Sequence, residues 1–251
     1  MARYSIDISE EAGVRSLHFG SEWVQGAMRV ARPFALELAY TREMMAGLLL
    51  RDAPWPRNAL LVGLGAGSLV KFIHRNLPQT RITVVEIDPR VEVAARVHFR
   101  LPDDPARLQV VIADAVDYLL RTDTHYDLIL LDGFDANARA GALDTAPFYA
   151  ACRAHLSETG LLSVNLFGRS RGFLASKERI AKAFDDRCCV FPSCDSGNVI
   201  AFAAVGEEVS VEAQLLKERA EALRKATGLN LQPTIARLAA AGALAGGELH
   251  F

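Results

Sequence analysis

Leu60-Leu61-Val62-Gly63-Leu64-Gly65-Ala66-Gly67-Ser68 joins an aliphatic run to three alternating glycines and then to a helical stretch. The apolar run predicts a buried strand over residues 59–62, and the spacing after it predicts a helix over 68–76. Glycines between the two let a ligand approach the backbone, and the helix start offers unpaired N–H groups. A dinucleotide fingerprint would place glycine or alanine at position 68, where this chain has Ser68. The match is therefore to GxGxG rather than GxGxxG, which points away from NAD.

Outward from that turn, further aliphatic runs predict strands over residues 82–85, 109–112, 128–131 and 161–164. Helices are expected between them, over 89–99, 115–121 and 147–156. Strand and helix in alternation predict an α/β fold, a Rossmann-like doubly wound parallel sheet with right-handed crossovers. Toward the C-terminus the pattern predicts a helix over 179–184, an antiparallel pair over 189–191 and 199–204, and helices over 211–227 and 233–241. The Ala/Gly-rich stretch 239–247 reads as a fraying tail or a packing helix. Before the main domain, short strands over 4–8, 15–19 and 23–30 form a β appendage assigned to residues 1–32. A helix over 34–50 leads into the domain assigned to 33–251.

Composition narrows the function. With 251 residues, 51% hydrophobic and 23% charged, the chain has the balance of a folded globular protein. The 28 basic and 30 acidic residues give a net charge of -2. That offers no basic field for nucleic acid or anionic membrane. No apolar run approaches the roughly 20 residues that span a bilayer. The start, MARYSIDISEE, lacks the basic and apolar regions of a secretory leader. A cytoplasmic protein is expected. Cys152, Cys188, Cys189 and Cys194 have no CxxC spacing, so reduced thiols and no metal are expected.

Three acidic strand ends supply candidate ligands, because open α/β sheets bind at the C-terminal edges of their strands. Glu86, in Val84-Val85-Glu86-Ile87-Asp88, can hold both hydroxyls of a ribose, while Asp88 before Pro89 suits helix capping. Asp114, followed by Ala115, can accept from an adenine amino group or cap the next helix. Gly63, Gly65 and Gly67 precede both in the same edge series, which suits a nucleoside without a pyrophosphate, the S-adenosylmethionine class. Asp132 and Asp135, in Leu131-Asp132-Gly133-Phe134-Asp135, place two carboxylates beside that site for general-base or cation-anchoring work.

These blocks, taken in order with Gln25, with Tyr40 and Glu43-Met44, and with Phe148-Tyr149, resemble the polyamine aminopropyltransferases, the spermidine and spermine synthase family. The resemblance runs from Phe19-Gly20 to about Ala204. It implies transfer of the aminopropyl group of decarboxylated S-adenosylmethionine to an amine such as putrescine, with release of methylthioadenosine. It also implies a homodimer with a small-molecule amine substrate and no metal. By the same resemblance Glu86 matches the ribose ligand, Asp114 the adenine contact, Asp132 the catalytic carboxylate and Tyr40 its hydroxyl partner. Gln25 matches a glutamine near the sulfonium. The chain departs from the family pattern at Ala66, where an aspartate is usual, at Thr41, at Cys194 and around Asp135. These departures imply an altered amine pocket. They keep two alternatives in play, an S-adenosylmethionine-dependent methyltransferase and a non-catalytic nucleoside-binding homologue. Trp23 and Phe134 are expected to pack, the six histidines to stand apart from acidic partners, and Arg169 and Arg171 to face solvent.

Overall fold

The computed structural model describes residues 4–134, 140–194 and 197–251. Three short strands, β1 (Ile6–Glu11), β2 (Val14–Phe19) and β3 (Val24–Arg29), form an antiparallel sheet at the N-terminus. The central sheet contains β4 (Asn58–Val62), β5 (Arg81–Glu86), β6 (Leu108–Ile112), β7 (Tyr126–Leu131), β8 (Leu156–Phe167), β9 (Cys188–Val190) and β10 (Asn198–Ala204). Its seven strands lie in the order β6-β5-β4-β7-β8-β10-β9. β4 to β8 are mutually parallel, and β10 lies antiparallel between β8 and β9. The helices are α1 (Ala39–Met44), α2 (Ser68–Asn76), α3 (Pro89–Phe99), α4 (Ala115–Leu119), α5 (Ala146–Ala154), α6 (Phe173–Ala183), α7 (Ala213–Thr227) and α8 (Gln232–Ala240). This is the S-adenosylmethionine-methyltransferase type of α/β sheet. No helix among the described residues is long and apolar enough to cross a membrane.

The sheet is buried on both faces, which is why its strands read as unbroken aliphatic runs. Along β4, Ala59 and Leu61 enter one apolar layer while Leu60 and Val62 enter the other. The winding then creates the site. From β4 the chain moves outward to β5 and β6, then returns to the other side of β4 as β7. The ends of β4 and β7 thus flank the point where the winding reverses, the crevice in which such sheets hold ligands.

Several expected elements differ from those observed. The helix expected over 34–50 is only the six residues of α1, continued by a 3-10 turn over Met45–Leu49. No side chain caps its start, and Gly47 lies within the 3-10 turn, so little in the sequence sustains a longer helix. Helix α5 ends at Ala154, because Leu156 already opens β8, twelve residues long rather than four. Helix α6 begins at Phe173, not 179. Val211 belongs to β11 (Ser210–Glu212), which pairs with β12 (Glu248–His250). Beyond the expected stretch 239–247 the chain is anchored again: Leu249 and Phe251 are 1% and 7% exposed in the main core.

Candidate functional site

Gly63 continues β4 into the crevice and Asp132 continues β7. Asp132 N–H donates to Val62 O at 3.0 Å and ties the two ends together, while Gly63 N–H donates to Val85 O of β5 at 2.9 Å. Gly63 sits at φ 93°. A Cβ there would lie 2.5 Å from the Asp132 carbonyl oxygen, so glycine is what lets the two strand ends close on each other. The turn continues through Gly65 and Gly67 into α2, whose first hydroxyl, Ser68 Oγ, donates to Ala27 O of β3 at 3.0 Å.

Strand β3 lies across the turn. A Cβ on Gly26 would stand 2.7 Å from both the Cβ and the backbone nitrogen of Ala66, which is 2% exposed. Ala66 is packed beneath β3, and its smallness and that of Gly26 set how closely the N-terminal sheet seats. Gln25, next in line, borders the same narrow cleft as Tyr40, Thr41, the glycine turn and Asp132. We expect Gly26→Ala to lift β3 from the turn and lower the melting temperature, since backbone atoms cannot yield as a flexible side chain does. Thermal unfolding checks this, and an unchanged midpoint would contradict the contact.

Glu86 ends β5 and is buried. Its Oε2 accepts the Leu64 N–H at 2.9 Å and its Oε1 accepts the Asp88 N–H at 2.9 Å. Burial pushes its carboxyl up while the backbone donors pull it down. Glu86 thus buttresses the glycine turn, and carboxylate lone pairs remain for further donors. Asp88 caps α3 through the Arg90 N–H at 2.9 Å and also accepts from Tyr4 Oη at 2.9 Å. The Arg90 guanidinium holds its carboxyl below the usual carboxylate range. Asp114 is exposed and caps α4, accepting the Val116 N–H at 2.7 Å, with Ala115 buried behind it as the first helical residue.

Asp132 is the centre of the site. Tyr40 Oη donates to its Oδ2 at 3.1 Å, and Asn165 Nδ2 donates to its Oδ1 at 2.8 Å. Behind Asn165, Asn198 Nδ2 donates to Asn165 Oδ1 at 2.8 Å. Burial pushes the Asp132 carboxyl up to about 6, against the pull of the Asn165 and Tyr40 donors. Burial and the Asp132 charge push the Tyr40 hydroxyl well above its ordinary range. At neutral pH the pair is therefore a carboxylate facing a neutral phenol, a base held by two donors and poised near working pH. Asp135 lies outside the described residues.

Sequence reasoning missed Asn165 and Asn198. Asn165 carried a signal, since an amide inside Leu161-Leu162-Ser163-Val164-Asn165-Leu166-Phe167 must find partners once the strand is buried. Other expectations are corrected. Trp23 is 56% exposed, resting edge-on against Phe167 at 6.1 Å rather than packing inside. Two histidines do meet carboxylates, His74 with Asp104 at 2.9 Å and His250 with Glu208 at 3.0 Å. Thr41 turns its hydroxyl to Leu38 O at 2.7 Å, and Cys194 is buried near Tyr40. Among the described residues no cluster of His, Cys, Asp or Glu could hold a metal ion.

A mostly parallel sheet whose glycine turn and buried carboxylate meet at the winding reversal has the crevice in which doubly wound α/β proteins hold their ligands. Residues 37–195 match the model of the spermine/spermidine synthase domain. The chain is 36% identical over 245 residues to a polyamine aminopropyltransferase of Neisseria meningitidis, covering 98% of this chain and 93% of that one. It superposes on a probable spermidine synthase from Corynebacterium glutamicum with a TM-score of 0.72 at 20% identity, over 91% of this chain and 92% of that one. Human methyltransferase-like protein 13, solved with SAH, superposes with a TM-score of 0.65 at 26% identity, over 76% of this chain and 93% of that one. The chain belongs to the spermine/spermidine synthase family.

Proposed function

We propose that this protein transfers the aminopropyl group of decarboxylated S-adenosylmethionine to a primary amine such as putrescine, releasing methylthioadenosine. The observation that carries the reading is Asp132, held by Tyr40 and Asn165 beside the glycine turn at the winding reversal. A primary amine has a pKa of roughly 10 and is protonated at neutral pH, so it cannot attack carbon until a base takes a proton. Asp132 receives that proton and orients the amine, and Tyr40 fixes the carboxylate that does so. The amine nitrogen then bonds the carbon next to the sulfonium, the C–S bond breaks, and its electron pair neutralises the sulfur. The product nitrogen keeps its remaining protons as a secondary ammonium, and Asp132 passes the proton it took to solvent. Because the sulfonium leaves readily, alignment of nitrogen, carbon and sulfur is the main remaining task.

In this reading Glu86 takes the ribose hydroxyls with the lone pairs the backbone leaves unused, and Asp114 takes the adenine amino group beside Ala115. Gln25 and the backbone at Gly63, Gly65 and Gly67 face the sulfonium end of the same ligand. Asp135 is assigned to the amine.

Mass spectrometry of products formed from S-adenosylmethionine, its decarboxylated form and a pool of di- and polyamines tests the reading. Methylthioadenosine with an amine heavier by one aminopropyl unit is the expected result. S-adenosylhomocysteine would move the protein to the methyltransferases, and no product would leave it a nucleoside binder. The pH profile gives a second check. Activity per unit of free enzyme should fall on the acid side near pH 6, where Asp132 protonates. Asn165→Ala removes a donor that favours the charged form, so the acid limb should move to higher pH. An unmoved limb would mean that another group titrates there.

A further inference from the structure

Helices α7 and α8 lie beyond the segment that the family model matches, yet they grip the segment that carries Tyr40. From α8, Arg237 Nη2 donates to Glu43 Oε1 at 2.8 Å. From α7, Arg219 Nη1 donates to Leu49 O at 2.9 Å and its other arm meets Asp52. Glu43 stands one helical turn after Tyr40 and is 1% exposed. We propose that the C-terminal helix pair is a clamp, with Arg237 as a positioning residue that holds α1 so that the Tyr40 hydroxyl meets Asp132.

Physical grounds for a clamp are specific to this segment. A helix of six residues is not stable by its own hydrogen bonds, so its place is set by what packs against it. On the sheet side, Ser163 Oγ of β8 donates to Met44 O at 3.2 Å, and the Met44 side chain is buried in the main core. The Arg237 arm that meets Glu43 is itself held on α8, its Nη2 also donating to Thr234 Oγ1 at 3.4 Å, and a charge-assisted bond to a carboxylate this buried anchors the position of α1. Glu43 and Tyr40 share a helix face, so a slip of α1 that loosened one contact would lengthen the other.

This deepens the transferase reading and rests on it for its kinetic arm only. The test is an NMR titration of carboxyl-labelled Asp132, joined to kinetics, in Arg237→Met, Arg237→Lys, Tyr40→Phe and the Tyr40→Phe/Arg237→Met double variant. Groups facing the Tyr40–Asp132 contact are Asn165 from β8 and Cys194 after β9. Arg237→Met should raise the Asp132 midpoint by roughly half a unit to one unit, as one lost hydrogen bond does, and lower kcat roughly threefold to tenfold. Arg237→Lys should recover part of both. In the Tyr40→Phe background Arg237→Met should shift the midpoint no further. A lower melting temperature with an unmoved Asp132 midpoint, or an equal shift in both backgrounds, would overturn the clamp. If Arg237→Met does not fold, Glu43→Gln carries the same comparison with the buried charge removed. A wild type that turns nothing over, yet shows these midpoints, would sink the transferase reading and leave the clamp standing.

Discussion

Asp132→Asn is expected to cut turnover by on the order of a hundredfold to ten-thousandfold while leaving nucleoside binding nearly intact and making the protein more stable at pH 8. All three effects have one origin. Asn165 can go on donating to Oδ1 of the new side chain, and the Tyr40 hydroxyl can rotate to accept from the amide in place of donating. The shape of the site survives and its base is gone. The glycine turn, held by Glu86 rather than Asp132, is untouched.

The stability effect follows from linkage. The folded protein holds the Asp132 proton up to about pH 6, whereas the unfolded chain loses it near the ordinary carboxylate value of about 4. A folded state that binds its proton more tightly gains from it fully below the unfolded value and loses that gain as pH rises through the folded value. Above pH 6 the wild type therefore carries the cost of a buried charge, on the order of 1–3 kcal/mol, and the asparagine variant does not. Thermal unfolding at pH 4, 5, 6 and 8 should show the variant's advantage growing from 4 to 6 and levelling beyond. A difference independent of pH, or turnover that persists, would remove Asp132 from the role of base.

What the sequence revealed of this site depends on how far each contact reaches along the chain. The strands were legible because burial on both faces leaves aliphatic runs, and α2 and α3 begin and end where the residues predict. The carboxylates at strand ends were legible because topology brings every C-terminal strand edge to one side. Their partners were harder to see. Asn165 was detectable as an amide in an aliphatic strand, but nothing near Asn198 marks it as the donor that fixes that amide from 33 residues away. Arg237 reaches Glu43 across 194 residues, and in sequence it is one more arginine on an amphipathic helix. The pairing of β11 with β12 escaped for a related reason, since strands of three residues carry no period to read. The length expected of the helix around Tyr40 came from apolar spacing alone. That spacing is equally satisfied by a short helix and a 3-10 turn packed into the same core.

Gly63→Ala should be the most damaging small substitution in the crevice, because it adds one methyl group where the backbone of a neighbouring strand already stands. Two costs combine. An L side chain at φ 93° strains the backbone by about 1–3 kcal/mol. The added carbon would also sit 2.5 Å from Asp132 O and 3.0 Å from Asp132 C, so the end of β7 must move. Overpacking of that kind costs about 1–3 kcal/mol more. A total of about 2–6 kcal/mol corresponds to a drop of roughly 4–24 °C in melting temperature for a chain of this size. Activity should fall further than stability does, because the atom that must move belongs to Asp132, the proposed base, and a shift of about 1 Å costs on the order of a hundredfold. Gly13 separates the two costs. It also has a positive φ, 73°, but a Cβ there meets nothing within 4 Å. Gly13→Ala should show the backbone cost alone, a modest loss of stability with turnover unchanged. Turnover that survives Gly63→Ala, or falls equally in both variants, would mean that the approach of β4 to β7 does not set the position of Asp132.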